Sequence, residues 1–385
     1  MASKDSADRR RRYFDWAATA VPDSPPARAV PFGNPSSPYR EGREAKEALE
    51  EARRRCAGVL GVKPETIYFT SGGTESNAIV LHSNLLRRSG GRILASAAEH
   101  PSVRENVEVL RRLGRETGLI PVESLGMVSP GGLKKCLEKY GDVRFAAVMA
   151  LNNETGALTD MAALRDIFRN RAGAPVHVHC DLVQAAGKLK LDIPGWDIDS
   201  ASLSAHKIGG PRGIGLLYLR RPLETVYAGG GQEGRIRPGT ENTAGALALA
   251  ECLENHALPE RVQEAYGRAR SRFKRLTGAL ASIDRCVIIP RGRGEDDENF
   301  SPYILQAAFR GIPGEVMVRA LDDSGFAVST GSACSSASGE RPVLDAMGVD
   351  RELSLEGIRI SQGWSSTDEE IDLLLAAFGE ILKFL

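Results

Sequence analysis

Lys207 lies at a position where its amine could take part in a reaction. It follows a β-like run and lies within residues 202–211, SLSAHKIGGP, among hydroxyl groups and glycines. A lysine in such a segment is usually a solvated surface residue. Its alternative role is that of a nucleophilic amine that forms a Schiff base with a carbonyl compound.

Residues 70–77, TSGGTESN, form a second segment of chemical interest, between a β-like run and a predicted helix. Free backbone N–H groups at a helix N-terminus bind phosphate well. The segment lacks the lysine of the GxxxxGK[ST] motif, which argues against nucleoside triphosphates. Small residues at such a turn can also serve only to cap the helix, so this motif alone does not decide the ligand.

The strand-like run at residues 177–181, HVHCD, places His177 and His179 on one face and ends in the carboxylate of Asp181. The histidine spacing suggests a metal site, but spacing without further ligands is weak support, and we expect no metal. We favour instead the interpretation that the Asp181 carboxylate pairs with the ring nitrogen of a ligand. Gln184 follows about one helical turn later.

Together these segments provide a phosphate cradle, a carboxylate for a pyridine nitrogen and an amine for a Schiff base. Those are the requirements of pyridoxal 5'-phosphate (PLP). A dinucleotide fits less well. Residues 229–234, GGGQEG, satisfy GxGxxG, but Pro238 and Gly239 follow where that motif needs a helix.

The elements that must position these residues alternate between short apolar runs and helical patterns. Apolar strands separated by helices predict an α/β fold, with a mainly parallel sheet covered by helices on both faces. Ligands in such sheets bind beyond the carboxyl ends of the strands. The predicted strands are residues 66–70, 92–96, 118–122, 144–151, 175–180, 198–204 and 215–219.

The last third of the chain changes in pattern. A long charged amphipathic segment begins near Pro259, and strand-like pieces then mix with helices. We therefore predict a large domain over residues 15–257. A smaller C-terminal α/β domain is expected over residues 258–385, joined by residues 1–14.

Composition narrows the class of protein. The 385 residues include 50 basic and 50 acidic side chains, so a dedicated partner of nucleic acids or membrane surfaces is not expected. The longest apolar run, residues 145–151, is far short of the roughly 20 residues that span a bilayer. Six scattered cysteines without a CxxC pair fit a reducing compartment, and no apolar segment follows the arginines at 9–12, so we predict a cytoplasmic protein.

The chain resembles the cysteine desulfurases of the class V aminotransferases, which have the fold type I architecture of PLP enzymes. The resemblance spans nearly the whole chain, and many motifs occur in the same order. These motifs are residues 13–15 with Ala18 and Thr19, 32–37, 69–76, Glu99 with His100, 152–156, Asp181 with Gln184, His206 with Lys207, 237–242, 332–334 and Arg359.

The resemblance implies roles for individual residues toward the cofactor. Lys207 would attach PLP as a Schiff base, Asp181 would pair with the pyridinium nitrogen, and Gln184 would hydrogen-bond the phenolic oxygen. His100 would stack on the ring and shuttle protons. The remaining cofactor contacts would come from Gly73, Thr74, Asn153, Ser204 and His206, with Thr240 reaching the phosphate of the neighbouring subunit of a homodimer.

The resemblance also implies the substrate and the reaction. Asn34, Asn153 and Arg359 would hold L-cysteine, with Arg359 forking onto its carboxylate. Cys334, in a small polar segment, would take the sulfur as a persulfide, leave L-alanine, and pass the sulfur to an acceptor protein that the sequence does not identify. A thiol with a pKa of about 8.5 needs a neighbouring cation or base to ionise, and His100 is the candidate.

Some positions depart from the family pattern, and two other functions stay open. Ala20 and Val21 stand where a second hydroxyl is common, and Trp364 stands where an arginine often lies. The first alternative is selenocysteine lyase, which shares the motifs at 33–39 and 237–243; sulfur and selenium differ too little for a pocket to separate them strongly. The second is a non-catalytic binding protein on the same fold.

Overall fold

The computed structural model describes residues 11–21, 31–88, 90–171, 173–331 and 340–385. Among these residues, no helix has the length and apolar content needed to cross a membrane. The strands are β1 (Arg12–Tyr13), β2 (Ile67–Thr70), β3 (Arg92–Ser96), β4 (Thr117–Ile120), β5 (Val143–Met149), β6 (His177–Asp181), β7 (Ser200–Ser204), β8 (Gly215–Leu219), β9 (Cys286–Ile289), β10 (Ile304–Phe309), β11 (Phe326–Ala327) and β12 (Gly357–Ser361).

The helices surround these strands and cover their faces. They are α1 (Arg40–Leu60), α2 (Gly73–Ser83), α3 (Pro101–Arg112), α4 (Pro130–Tyr140), α5 (Met161–Arg169), α6 (Ile193–Trp196), α7 (Thr243–His256), α8 (Pro259–Ala281), α9 (Gly314–Asp323), α10 (Pro342–Ala346), α11 (Arg351–Leu355) and α12 (Asp368–Ile381). In α1, Ala45, Leu49, Ala52, Cys56 and Leu60 recur every three or four residues and are buried, as a helix with one apolar face requires.

The large sheet has the strand order β2-β8-β7-β6-β5-β3-β4. Strands β3 to β7 pair in parallel, and β8 runs antiparallel to both of its neighbours. Apolar side chains fill both faces in two separate clusters, which is the burial that continuous apolar strands indicate. The predicted α/β fold with a mainly parallel, helix-covered sheet is confirmed.

A second, smaller sheet has the antiparallel order β12-β10-β9. Its core is a cluster of its own, in which Phe309 and Phe378 stack with ring centroids 4.9 Å apart. Strand β1 pairs with β11 of this part of the chain, and Phe14 is buried in the same cluster. The boundaries at 14/15 and 257/258 stay a prediction.

Candidate active site

A cavity of about 240 Å³ lies at the carboxyl ends of the parallel strands, where ligands of such sheets bind. It contains most of the residues that the sequence singled out, from segments that are far apart in the chain. Its lining comprises Ala17, Ala18, Gly73, Thr74, His100, Ser102, Met149, Asn153, Asp181, Val183, Gln184, Ser204, His206, Lys207 and Arg359.

The N-terminus of α2 forms one end of the cavity. A Cβ atom on Gly73 would come within 2.5 Å of Val183 Cγ2, so this close approach requires glycine. Ser204 ends β7 beside it, and Thr74 is exposed at the first turn of the helix. The free N–H groups of this turn and the two hydroxyls are suited to an anion.

Lys207 lies in a short 3₁₀ turn, Ala205–Lys207, directly after β7. Its Nζ atom donates hydrogen bonds to the carbonyl oxygens of Ala17, at 2.6 Å, and Ala18, at 2.8 Å. The amine is half-buried and faces the cavity. The neighbouring His206 has a pKa lowered to about 4 by burial and by the Lys207 charge, so its imidazole is neutral.

Asp181 ends β6, and its carboxylate accepts two hydrogen bonds. Oδ1 accepts from the Val183 N–H at 2.9 Å, and Oδ2 accepts from Asn77 Nδ2 at 2.8 Å. Gln184 lines the same wall; its Nε2 donates to the Ala17 carbonyl at 2.9 Å. Both side chains are buried, and lone pairs left on the Asp181 carboxylate can still accept from a ligand N–H.

His100 caps helix α3. Its Nδ1 atom accepts a hydrogen bond from the Ser102 backbone N–H at 3.1 Å and lies 2.8 Å from the Ser102 hydroxyl. Burial lowers the pKa of His100, because the cost of removing a charged imidazole from water outweighs the attraction of Asp181. The imidazole is therefore neutral at neutral pH.

Two buried polar atoms of the cavity wall lack partners within the described part of the chain. They are Nε of Arg359 and Oδ1 of Asn153. Arg359 is 2 % exposed; its Nη2 donates to Asp15 Oδ1 at 2.8 Å and its Nη1 to the Asn153 carbonyl at 2.9 Å. Unsatisfied buried donors and acceptors are costly, and a bound ligand would satisfy both.

Two of the predicted site residues that the structure describes do not line the cavity. Asn34 is exposed, and its Oδ1 accepts from the backbone N–H of Ser36 at 2.9 Å. Thr240 is exposed in the segment before α7. Cys334 lies outside the described residues. Ala20 and Val21, which replace a hydroxyl residue common in the family, have no hydroxyl to offer. The neighbouring Thr19 hydroxyl donates to the His206 carbonyl, at 3.2 Å.

The sequence predicted no site role for Asn77 or Ser102, although Asn77 is the last residue of the TSGGTESN segment. Glu99 was predicted only as part of a family motif, without a role of its own. Glu99 is 2 % exposed; its Oε1 accepts from the Met149 N–H at 2.6 Å, and its Oε2 has no partner among the described residues. Burial, followed by repulsion from Asp181, raises its pKa to about 8. Glu99 and Asp181 are brought close by the tertiary fold, and no local sequence pattern shows this proximity.

We predict that Glu99→Gln stabilises the protein increasingly as the pH rises from 4.5 to 8. Folded Glu99 keeps its proton up to about pH 8, whereas the unfolded carboxyl ionises near its ordinary pKa of 4.5, so wild-type stability is lost across that window. At pH 8 the gain in unfolding free energy is on the order of 3 kcal/mol. Urea unfolding at pH 5, 6.5 and 8 measures it, with the exposed Glu105→Gln as control. Parallel pH profiles for wild type and Glu99→Gln would refute the prediction.

The pair of histidines on β6 does not gather metal ligands. Among the described residues, no group of three or more His, Cys, Asp or Glu side chains could hold a metal ion. His177 and His179 instead contact the Ser200 hydroxyl, at 2.7 and 2.8 Å.

Comparison with known proteins agrees with this arrangement. The family model "Aminotransferase class-V" matches residues 12–374. The chain is 35% identical to "Cysteine desulfurase IscS" of Dictyoglomus turgidum, over 98% of this chain and 96% of that protein. It is 36% identical to "NifS/IcsS protein homolog" of Lactobacillus delbrueckii, over 91% and 90% of the two chains. A solved structure, "NIFS-LIKE PROTEIN", superposes with a TM-score of 0.87 at 33% identity, over 97% of this chain and all of the other. The resemblance found in the motifs is thus confirmed, and the chain belongs to the class V aminotransferase family.

Proposed function

We propose that the protein is a PLP-dependent cysteine desulfurase that converts L-cysteine to L-alanine and takes the sulfur onto its own cysteine. The observation that carries this proposal is one cavity that brings together Lys207, Asp181, Arg359 and the N-terminus of α2. Relatives named cysteine desulfurase that match nearly the full length of the chain support the same reaction.

The residues present fit PLP. The open first turn of α2, with Thr74 and Ser204, would hold the phosphate, and His206 would complete that end. The Asp181 carboxylate would accept a hydrogen bond from the protonated ring nitrogen, and Gln184 would face the phenolic oxygen. Lys207 provides the primary amine that attaches the aldehyde carbon. Gly73 keeps the cradle open, since any side chain there would meet Val183.

Each side chain has a defined task toward the substrate. Arg359 would hold the carboxylate of L-cysteine with its Nε donor, and Asn153 Oδ1, which can only accept, would face the amino group of the substrate. Bound PLP supplies an electron sink for the negative charge that remains when the Cα proton leaves. Lys207, once it has released the cofactor, is the base within reach of that proton. Asp181 keeps the ring nitrogen protonated, which maintains the sink.

Cys334 is proposed as the nucleophile. Its thiolate sulfur would bond to the substrate sulfur while the carbon–sulfur bond breaks and leaves its electron pair with Cβ. The Cβ carbon would then gain a proton, and the Cα carbon would regain the proton that Lys207 removed, which gives alanine. The described chain that leads into this segment contacts the site: Ser329 pairs with Arg359, and the Arg359 N–H donates to the Ser329 carbonyl at 2.6 Å. In the sequence, Cys334 therefore follows five positions after Ser329, a residue that contacts the cavity wall.

The direct test is product analysis with the purified protein. We expect equal amounts of alanine and enzyme-bound or released sulfur from L-cysteine, and a change in visible absorption when the substrate is added. A parallel assay with L-selenocysteine measures the preference between the two amino acids. A colourless protein that cannot be loaded with PLP would contradict the proposal and favour a non-catalytic binding protein.

We further propose a homodimer in which Thr240 completes the phosphate site of the partner subunit. Thr240 is exposed and lies in residues 229–242. Glu233 of this segment forms a buried ion pair with α1 and a hydrogen bond to β2 of the large sheet. Arg53 contacts both carboxylate oxygens of Glu233, at 2.7 and 2.9 Å, and Glu233 also accepts from the Phe69 N–H at 2.7 Å. A segment held this firmly can present a hydroxyl across a subunit interface. A cytoplasmic location and an acceptor protein for the sulfur also remain predictions.

The dimer proposal predicts a solution mass of twice 41.4 kDa. Thr240→Val should weaken PLP binding by about tenfold, the loss typical of one hydrogen bond to a charged group. Thr66→Val, which removes a hydroxyl far from the cavity, is the matched control. Equilibrium dialysis and light scattering measure affinity and mass. A monomer that binds PLP at full affinity would remove Thr240 from the site.

A further inference from the structure

A chain of hydrogen bonds runs behind the cavity wall from the histidine pair of β6 to His100. Alternation along the strands places His177, His179 and Asp181 on one face of β6, beside Ser200 on β7. Asn77 of α2 lies over this face and is fully buried. Its side chain contacts His179, Asp181 and Ser102, so it connects β6 with the cap of α3.

Donor and acceptor rules fix the orientation of the Asn77 amide. An ionised carboxylate only accepts, so the Asn77 atom 2.8 Å from Asp181 Oδ2 is the nitrogen, Nδ2. The same Nδ2 lies 2.8 Å from the Ser102 hydroxyl oxygen. Oδ1 is then the atom that faces His179 Nε2, at 2.8 Å, and that imidazole nitrogen must carry a proton.

The protonation of the next groups follows in turn. Burial lowers the pKa of His179 to about 3 and that of His177 to about 4, so both rings are neutral. With its proton on Nε2, His179 accepts at Nδ1 from the Ser200 hydroxyl at 2.8 Å. Ser200 in turn accepts from His177 Nε2 at 2.7 Å. Every hydrogen bond from His177 to Asn77 therefore points toward the cavity.

The branch through Ser102 ends at His100. Because Asn77 Nδ2 donates to the Ser102 oxygen, the Ser102 hydroxyl proton is free to donate to His100 Nδ1 at 2.8 Å. That nitrogen also accepts from the Ser102 backbone N–H, which can only donate. A neutral His100 with Nδ1 as a double acceptor carries its proton on Nε2.

We propose that Asn77 is a positioning residue that holds the Asp181 carboxylate and directs the Ser102 hydroxyl proton onto His100 Nδ1, where it strengthens the Nε2–H tautomer that the Ser102 backbone N–H sets. Held in this way, His100 presents an Nε2–H donor from the cavity wall. It is suited to deliver a proton to the substrate or product, and it is not a resting base for a thiol. This role in the reaction rests on the proposed function, but the hydrogen-bond arrangement can be measured without it.

The test is ¹⁵N NMR of the histidine side chains in the protein without added cofactor, between pH 5 and 9. The chain has six histidines, and comparison with His100→Gln assigns the His100 signals. We expect the proton of wild-type His100 on Nε2. In Asn77→Ala nothing directs the Ser102 hydroxyl proton onto Nδ1, so a hydrogen bond that favours the neutral ring weakens and the His100 pKa should rise. The neutral ring should keep its proton on Nε2, because the Ser102 backbone N–H still donates to Nδ1.

Asn84→Ala is the matched control. Asn84 is also a buried asparagine at the end of the same helix, and within the described residues its side chain donates only to the carbonyls of Val80 and Leu81. Its replacement should lower stability and leave the His100 signals unchanged. Ser102→Ala, which removes the hydroxyl donor itself, should raise the His100 pKa as Asn77→Ala does, and it serves if Asn77→Ala does not fold.

A wild-type His100 with its proton on Nδ1 would overturn the inference. So would a His100 pKa in Asn77→Ala and Ser102→Ala that matches that of Asn84→Ala. These results do not depend on turnover of L-cysteine, so a failure of the proposed function would be seen separately, in the product assay.

Discussion

Lys207→Ala is expected to abolish turnover of L-cysteine, by at least about a thousandfold, while leaving a folded protein. The variant loses the amine that we propose attaches the cofactor and takes up the Cα proton of the substrate. Its folding cost is small, about 1–2 kcal/mol for two hydrogen bonds to the Ala17 and Ala18 carbonyls. Burial, followed by repulsion from the Lys207 charge, lowers the pKa of Lys188 to about 7. Removal of Lys207 relieves that repulsion, which offsets part of the folding cost.

Borohydride reduction and peptide mapping give the decisive measurement for this variant. The pyridoxyl group should be found on Lys207 in the wild type and on no peptide of Lys207→Ala. Lys207→Arg keeps the charge but not the primary amine, and it should fail equally, whereas exposed Lys190→Ala should behave as wild type. Labelling of another lysine in the wild type would overturn the site assignment.

The fold and the position of the cavity follow from local patterns in the sequence. Short β-like runs predicted β2 to β8, and the apolar runs of β3 and β5 are nearly continuous because strands buried on both faces have no solvent-facing side. Asp181 and Lys207 were placed correctly at strand ends, since parallel strands bring their carboxyl ends to one edge. The antiparallel direction of β8 was not predicted, because strand direction depends on the connection and its partners and not on periodicity.

The polar contacts around the site could not be read from the sequence. The HVH spacing correctly put two histidines on one strand face, but their partners, Ser200 and Asn77, come from other elements. Whether such a pair binds a metal or a hydroxyl depends on these distant groups. The pairing of Ser329 with Arg359 likewise joins positions 30 residues apart, and no helical or strand period relates them.

Cys334→Ser is expected to retain cofactor binding and to form no persulfide. Cofactor attachment requires Lys207, Asp181 and the α2 N-terminus, and none of these needs the thiol. Spectral changes on addition of L-cysteine should therefore persist. Sulfur transfer requires a thiolate, and a serine hydroxyl is far too weak an acid and nucleophile to replace it.

Persulfide labelling with a thiol-blocking reagent, followed by mass spectrometry, measures the result directly. Cys180→Ser and Cys56→Ser are informative controls, because burial raises the pKa of both thiols well above that of a free cysteine and makes them inert. Both controls should still form the persulfide. If Cys334 were only a small packed side chain, its replacement would cost little activity. Release of sulfide and alanine by Cys334→Ser at the wild-type rate would therefore exclude Cys334 as the nucleophile, and a route in which sulfur leaves directly from the cavity would take its place.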